Sequence, residues 1–160
     1  MKNLAKALLL IMVMIMGLSL VTGMAAGQVK LVKGQTLYLP IATSYVSDDY
    51  SFNVNATIFI HNTDPDHSIN IIKMDFYNTS GKLVEKYLQQ PLKLAPAAAT
   101  RIHVKNPLSG EEGTAAHFVI QWQAEAKAVE PIIGGLLFSS SGTRGYSFST
   151  HPRIVQEAAD

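Results

Sequence analysis

The chain has 160 residues, 13 Lys and Arg against 12 Asp and Glu, and no cysteine. That near-balance leaves no basic footprint for nucleic acid, and the missing thiols exclude disulfides, thiolate zinc sites and cysteine catalysis. With 48% hydrophobic and only 16% charged residues, the composition is that of a chain that folds rather than one that stays disordered.

The N-terminus stands apart from the rest. Lys2 and Lys6 precede an apolar run from Ala7 to Leu20, and Gly23-Met24-Ala25 closes it with small residues at alternate positions. A basic start, an apolar centre and a small-x-small end are the order of a secretory signal peptide. Residues 1–25 are therefore expected to be cleaved off and the mature protein to be periplasmic or secreted. The alternative is an uncleaved anchor, because residues 7–26 are about long enough to cross hydrocarbon and would tie the protein to the inner membrane. Residues 26–33 then read as a flexible lead, 34–155 as the folded domain and 156–160 as a C-terminal tail. Without Lys2 and Lys6, 11 basic side chains face 12 acidic ones, so the mature chain stays near neutrality.

Period-two alternation dominates the mature chain. Thr36–Ile41 is a short β-rich run whose Pro40 suits an edge strand or a strand end. Ser51–His61 places Val54, Ala56, Ile58 and Ile60 on one face and Asn53, Asn55, Thr57 and His61 on the other, the pattern of a half-buried strand. Ile69–Tyr77 and Lys82–Leu88 flank Asn78-Thr79-Ser80-Gly81, a hairpin signal. Leu83, Val84, Tyr87 and Leu88 also fit helical spacing, but the turn directly before them favours a strand. Arg101–Lys105 points Ile102 and Val104 inward and His103 outward. Ala115–Ala126 sets Phe118, Ile120 and Trp122 against His117, Val119 and Gln121. The buried indole would need a partner for its N–H.

Ile132–Phe138 is apolar at nearly every position, so it is either covered on both faces or meets a second copy in a weak homo-oligomer. Tyr146–Thr150 and Arg153–Val155 complete the set. No amphipathic helix follows the leader. Seven to nine short strands, each with one face to bury, predict an all-β fold, an immunoglobulin-like antiparallel β-sandwich with Ile58, Ile60, Phe76, Phe118, Ile120 and Trp122 in one core.

Several residues together carry a resemblance: Tyr38-Leu39-Pro40-Ile41, His61-Asn62-Thr63-Asp64-Pro65, Asp75-Phe76-Tyr77-Asn78 before Gly81-Lys82-Leu83-Val84, Leu94-Ala95-Pro96, Phe118 to Ala124, and Gly145-Tyr146-Ser147-Phe148. The pattern resembles the bacterial exported family known as domain of unknown function three-one-two-four, over roughly Gly34 to Val155. Its most specific parts are the N-T-D-P turn and the F-V-I-Q-W-Q-A strand. The resemblance implies an exported protein and supplies no catalytic residues.

Three constellations hold candidate chemistry. His61, Asp64, Asp66 and His67 lie within seven residues and are metal-ligand types, with Asp48 and Asp49 as further oxygen donors for calcium. The competing reading is a polar turn in which Asp64 bonds its own backbone, and it predicts no bound metal and no cofactor. Ser139–Gly145 could cradle an anion on its backbone amides, or simply close a hairpin. Scattered Ser, His and Asp residues leave room for a hydrolase with an unrecognised site, but no G-x-S-x-G elbow is present. The balance favours a non-enzymatic binding or structural module, with a protein or small ligand of the cell envelope as its partner.

Overall fold

The alternating runs build two antiparallel sheets over one shared core. The computed structural model describes residues 29–42, 44–46, 51–104, 115–141 and 144–158. The expected signal peptide, Asp48, Asp49, the loop pair Ser109-Gly110 among the scattered hydrolase candidates, and Gly142-Thr143 lie outside them. Among the described residues there are twelve strands, no helix, and nothing helical long and apolar enough to cross a membrane.

The larger sheet runs β12 (Arg153–Glu157), β1 (Leu31–Ala42), β9 (Ala115–Val129), β5 (Ile69–Tyr77), then β6 (Leu83–Lys86), with β7 (Leu92–Leu94) also paired to β5. The smaller sheet runs β11 (Arg144–Thr150), β10 (Ile132–Ser141), β4 (Asn55–His61), β8 (Ala99–Val104). A separate pair, β2 (Ser44–Val46) and β3 (Ser51–Asn53), forms its own two-stranded ribbon.

Register explains the core. Leu39 and Phe76 both lie opposite Phe118, and Leu37 and Met74 both lie opposite Ile120, so the inward residues of β1, β9 and β5 form rows. From the smaller sheet, Ile58 pairs with Gly135 and Ile60 with Ile133. All six residues expected in the core are buried in one cluster, with Trp122 at 1% exposure. The indole Nε1 donates to Gln35 Oε1 at 3.2 Å, and the Gln35 amide in turn donates to Glu130. A buried polar chain therefore runs from the core to the end of the molecule.

Several expectations need correction. The strand containing Thr36–Ile41 is not short and not an edge. β1 begins at Leu31, inside the stretch expected as a flexible lead, and has neighbours on both sides. Pro40 is tolerated because β12 covers only Gln35–Tyr38, so β1 has a single ladder at Pro40. Ser51–His61 is two strands in two sheets; Val54 stays buried across the break, so the alternation of the sequence runs straight through it. Twelve strands exceed the expected seven to nine because short pieces such as β6 and β7 share one edge of β5.

Ile132–Phe138 is apolar on both faces, and among the described residues only the inner face is covered. Its Ile133 and Leu137 are buried, whereas Ile132, Leu136 and Phe138 are exposed at 63%, 39% and 41%. Both edges are paired from Gly135 to Phe138, to β11 and β4, which rules out edge-on addition of another strand along that stretch. The Asn78–Gly81 hairpin forms as expected. Gly81 takes φ of 76°, and Asn78 Oδ1 accepts the Lys82 N–H at 2.9 Å.

Candidate functional site

Three connections cross between the sheets at one end of the molecule: β4 to β5, β7 to β8 and β9 to β10. The first contains Asn62-Thr63-Asp64-Pro65, and its side chains bind the other two. Asn62 Nδ2 donates to Ala95 O and His67 O, both at 2.8 Å, while Asn62 N donates to Ala98 O at 2.8 Å. Thr63 Oγ1 donates to Glu130 O at 2.8 Å. Asp64 O accepts Ala97 N–H at 3.0 Å.

The Asp64 carboxylate is the centre of this knot. Its side chain is 4% exposed, Oδ1 accepts the N–H groups of Asp66 and His67 at 2.8 and 2.7 Å, and Oδ2 accepts that of Val129 at 2.8 Å. The Val129 N–H is the largest influence holding the Asp64 pKa down at about 2; burial acts the other way, and the two local N–H groups and the His67 ring add to the lowering. Being ionised, Oδ1 can only accept, so His67 Nδ1, 3.1 Å away, carries the proton between them. That fixes the imidazole and leaves Nε2 as its second, chemically available nitrogen.

His67 is 45% exposed and lines a hollow of about 230 Å³ with Asp66, Ser68, Asn70, Lys93 and Glu125. The hollow depends on an irregularity in β9. Asn70 and Gly34 both pair with Gln123, and Val32 pairs with Ala128, so Ala124–Lys127 bulges out opposite the single residue Lys33. Such departures from a ladder re-aim side chains, and here they bring Glu125 to the hollow. Gly34 is required beside the bulge, because a Cβ there would lie 2.5 Å from Trp122 O.

The candidate metal set does not converge. His61 is exposed at the end of β4 in the smaller sheet, Asp64 faces into the turn, and Asp66 and His67 line the hollow. Among the described residues, no group of three or more His, Asp or Glu side chains is placed to hold a metal ion. His103 accepts or donates across the smaller sheet to Thr57 Oγ1 at 2.9 Å. His117 stands between Tyr77 and Tyr38, with ring centroids 5.3 and 4.3 Å away, and burial lowers its pKa. The two tyrosines thus cover both faces of the His117 ring. Ser139, Ser140 and Ser141 are β10 residues, the last two in register with Gly145 and Arg144, so most of the expected anion loop is hairpin ladder.

No sequence signal singles out Lys93, Glu125, Asn70 and Ser68, since they come from three separate segments. The smaller sheet also has a distinctive outer face. Its outward residues on β4, β8 and β10 include Ile132, Leu136, Phe138 and Phe59, with Arg101, His61 and His103 as the titratable ones and no carboxylate among the described residues.

The chain matches the family described as "Protein of unknown function (DUF3124)" over residues 34–155. No curated protein sequence matches it. Among solved structures, the crystal structure of Thermotoga maritima 1070 aligns at 10% identity with a TM-score of 0.49, covering 78% of this chain and 97% of that one.

Proposed function

The chain belongs to the DUF3124 family, and on that premise we propose that it is an exported, non-catalytic binding module of the bacterial cell envelope, built as an immunoglobulin-like β-sandwich. Export is supported by Lys2, Lys6 and the apolar run that ends at Gly23-Met24-Ala25. An intact mass beginning at Ala26 in the periplasmic fraction supports it; a full-length species in the membrane fraction replaces it with the anchor reading.

One observation carries the binding role: an imidazole held in place by a buried carboxylate, at the rim of a polar hollow of about 230 Å³. The hollow offers Lys93 to an acid group and Asp66 and Glu125 to an amine. Its chemistry therefore fits a small zwitterionic ligand, such as an amino acid or a short peptide. Calorimetric titration with a panel of amino acids and dipeptides tests this. Saturable binding that is lost in Lys93→Ala and Glu125→Gln supports the reading, and heats of dilution alone across the panel end it.

The Asp64–His67 pair also favours a second reading, a hydrolase, because an aspartate-held imidazole is the base half of a nucleophilic triad. Ser68 is the hydroxyl in the same hollow. Labelling by a serine-directed fluorophosphonate, abolished in Ser68→Ala, would put this reading first. A third proposal concerns partners. The outer face with Leu136 and Phe138, which holds no carboxylate among the described residues of β4, β8 and β10, is the surface we assign to weak self-association.

A further inference from the structure

Besides His67, three side chains that can carry charge line the His67 hollow: Asp66, Lys93 and Glu125. Among the described residues none of them is ion-paired, with one another or elsewhere. The register shows what holds the opposite charges apart. Asn70 of β5 lies opposite Lys93 of β7 on one side and opposite Gln123 of β9 on the other, so these three share one face of the sheet. Neighbouring strands run about 4.8 Å apart, which sets the backbones of Lys93 and Gln123 about 10 Å from one another. Glu125 follows Gln123 by two residues, in the bulge, and Asp66 enters from the connection before β5.

These charges do not cancel. Asp66 and Glu125 are two carboxylates against the single ammonium of Lys93. His67 does not alter that balance, because any charge it gains is matched by the Asp64 carboxylate beside it. With its Nδ1 proton turned to Asp64, the neutral ring leaves Nε2 as one more acceptor. The volume of about 230 Å³ lies below the about 300–1,000 Å³ of sites for drug-sized molecules, which suits a single amino acid better than a chain of them. We propose that the ligand is a diamino acid of the lysine or ornithine type, an inference that rests on the zwitterion reading of this hollow and narrows it. The carboxylate of the ligand meets Lys93, its side-chain ammonium meets Glu125 across Asn70, and its α-ammonium meets Asp66. A ligand with one surplus positive charge thereby balances a hollow with one surplus negative charge. An amino acid with an apolar side chain leaves Glu125 without a counter-charge, and an acidic one adds repulsion.

Ligands that each lack one charged group test this. The folded protein is titrated by calorimetry with lysine, with norleucine, which lacks the side-chain amine, with ε-aminocaproate, which lacks the α-amine, and with cadaverine, which lacks the carboxylate. Lysine should bind about tenfold tighter than each of the other three, the scale of one charge-assisted hydrogen bond, and its binding should weaken as salt is raised. Glu125→Gln should erase the difference between lysine and norleucine. Lys93→Ala should weaken lysine and leave cadaverine unchanged, with circular dichroism confirming that each variant is folded. Norleucine that binds as tightly as lysine overturns the diamino acid and leaves the zwitterion reading standing, as does a preference for lysine that survives Glu125→Gln. Absence of saturable binding by both lysine and norleucine overturns the two together.

Discussion

The carboxylate of Asp64 accepts the backbone N–H of Val129 at 2.8 Å across a sequence separation of 65 residues. With that bond, the connection between β4 and β5 holds the end of β9, just beyond the bulge beside the His67 hollow. A short polar turn thus governs a long-range feature. Its ionisation state is part of the fold.

The direction of the shift sets the pH dependence. Asp64 titrates at about 2 in the folded protein, against an ordinary value of about 3.9 for an unfolded aspartate. Its contribution to stability is therefore fully present above about pH 4 and is lost as the pH falls toward 2. Urea midpoints measured from pH 7 to pH 2 should fall in that acid window for the wild type. Asp64→Asn should be less stable at pH 7 and should lose less of its stability on acidification. Parallel curves for the two proteins would show that the carboxylate is not the titrating element.

Asn62 has a different kind of importance. Its amide is 2% exposed, donates to two carbonyls at 2.8 Å and accepts the Asp64 N–H at 3.2 Å. Asn62→Ala leaves those buried groups unpaired. Each costs about 1–3 kcal/mol when left unmade, so the variant should lose at least about 2 kcal/mol in chemical denaturation. A loss below about 0.5 kcal/mol, the range of a surface change, would mean that water replaces the amide.

Ala97 stores strain in the neighbouring turn. Ala98 N–H returns to Ala95 O at 3.1 Å, Pro96 occupies the second position, and Ala97 takes φ of 56° in the third, where this kind of turn prefers glycine. A non-glycine residue there costs about 1–2 kcal/mol, partly offset by the greater freedom of glycine in the unfolded chain. Ala97→Gly should therefore raise stability by up to about 1 kcal/mol. A destabilised variant would show that the Ala97 methyl makes contacts worth more than the strain.

How far sequence reaches is visible at particular residues. The rows of Phe118, Ile120 and Trp122 were legible because alternation reports burial directly, and the Asn78–Gly81 hairpin because turn chemistry is local. The polar reading of the N-T-D-P turn was legible in part: Asp64 does bond Asp66 and His67 nearby, but its bond to Val129 has no local signature. The β9 bulge was illegible, since Ala124-Glu125-Ala126-Lys127 continues a passable alternation, and only the pairing of Gln123 and Ala128 with β1 exposes it. The His67 hollow inherits that illegibility, because its lysine and carboxylates come from segments far apart in the chain. Ile132–Phe138 leaves a choice open for the opposite reason. Composition there is uniformly apolar, while pairing on both edges decides which side chains face the core.

Trp122 supplies a direct check on the core. The indole is 1% exposed and is the sole tryptophan of the chain, so its fluorescence reports the core alone. Trp122→Ala should cost about 3–5 kcal/mol, the range for a buried aromatic. In the wild type the emission should be blue-shifted and should move to the red on unfolding. Gln35→Ala should cost less, because the packing of the ring remains while its N–H loses the acceptor. A midpoint unmoved by Trp122→Ala would contradict the register of β9 with β1 and β5.

Leu136 and Leu137 test the outer face of the smaller sheet as a contact surface. Adjacent strand residues point to opposite faces, and here Leu137 is 4% exposed while Leu136 is 39% exposed. A lysine at position 137 would bury an unpaired ammonium in the core, so Leu137→Lys should unfold the protein or lower its midpoint drastically. Leu136→Lys leaves the ammonium in solvent and should keep stability within about 0.5 kcal/mol of wild type. If the face with Ile132, Leu136 and Phe138 mediates self-association, sedimentation equilibrium of the wild type will show a concentration-dependent rise in mass. Leu136→Lys will abolish that rise without loss of stability, because two copies would bring like charges into an apolar contact that holds no carboxylate among its described residues on β4, β8 and β10. A wild type that stays monomeric at the highest concentrations removes self-association and leaves the face to a different partner.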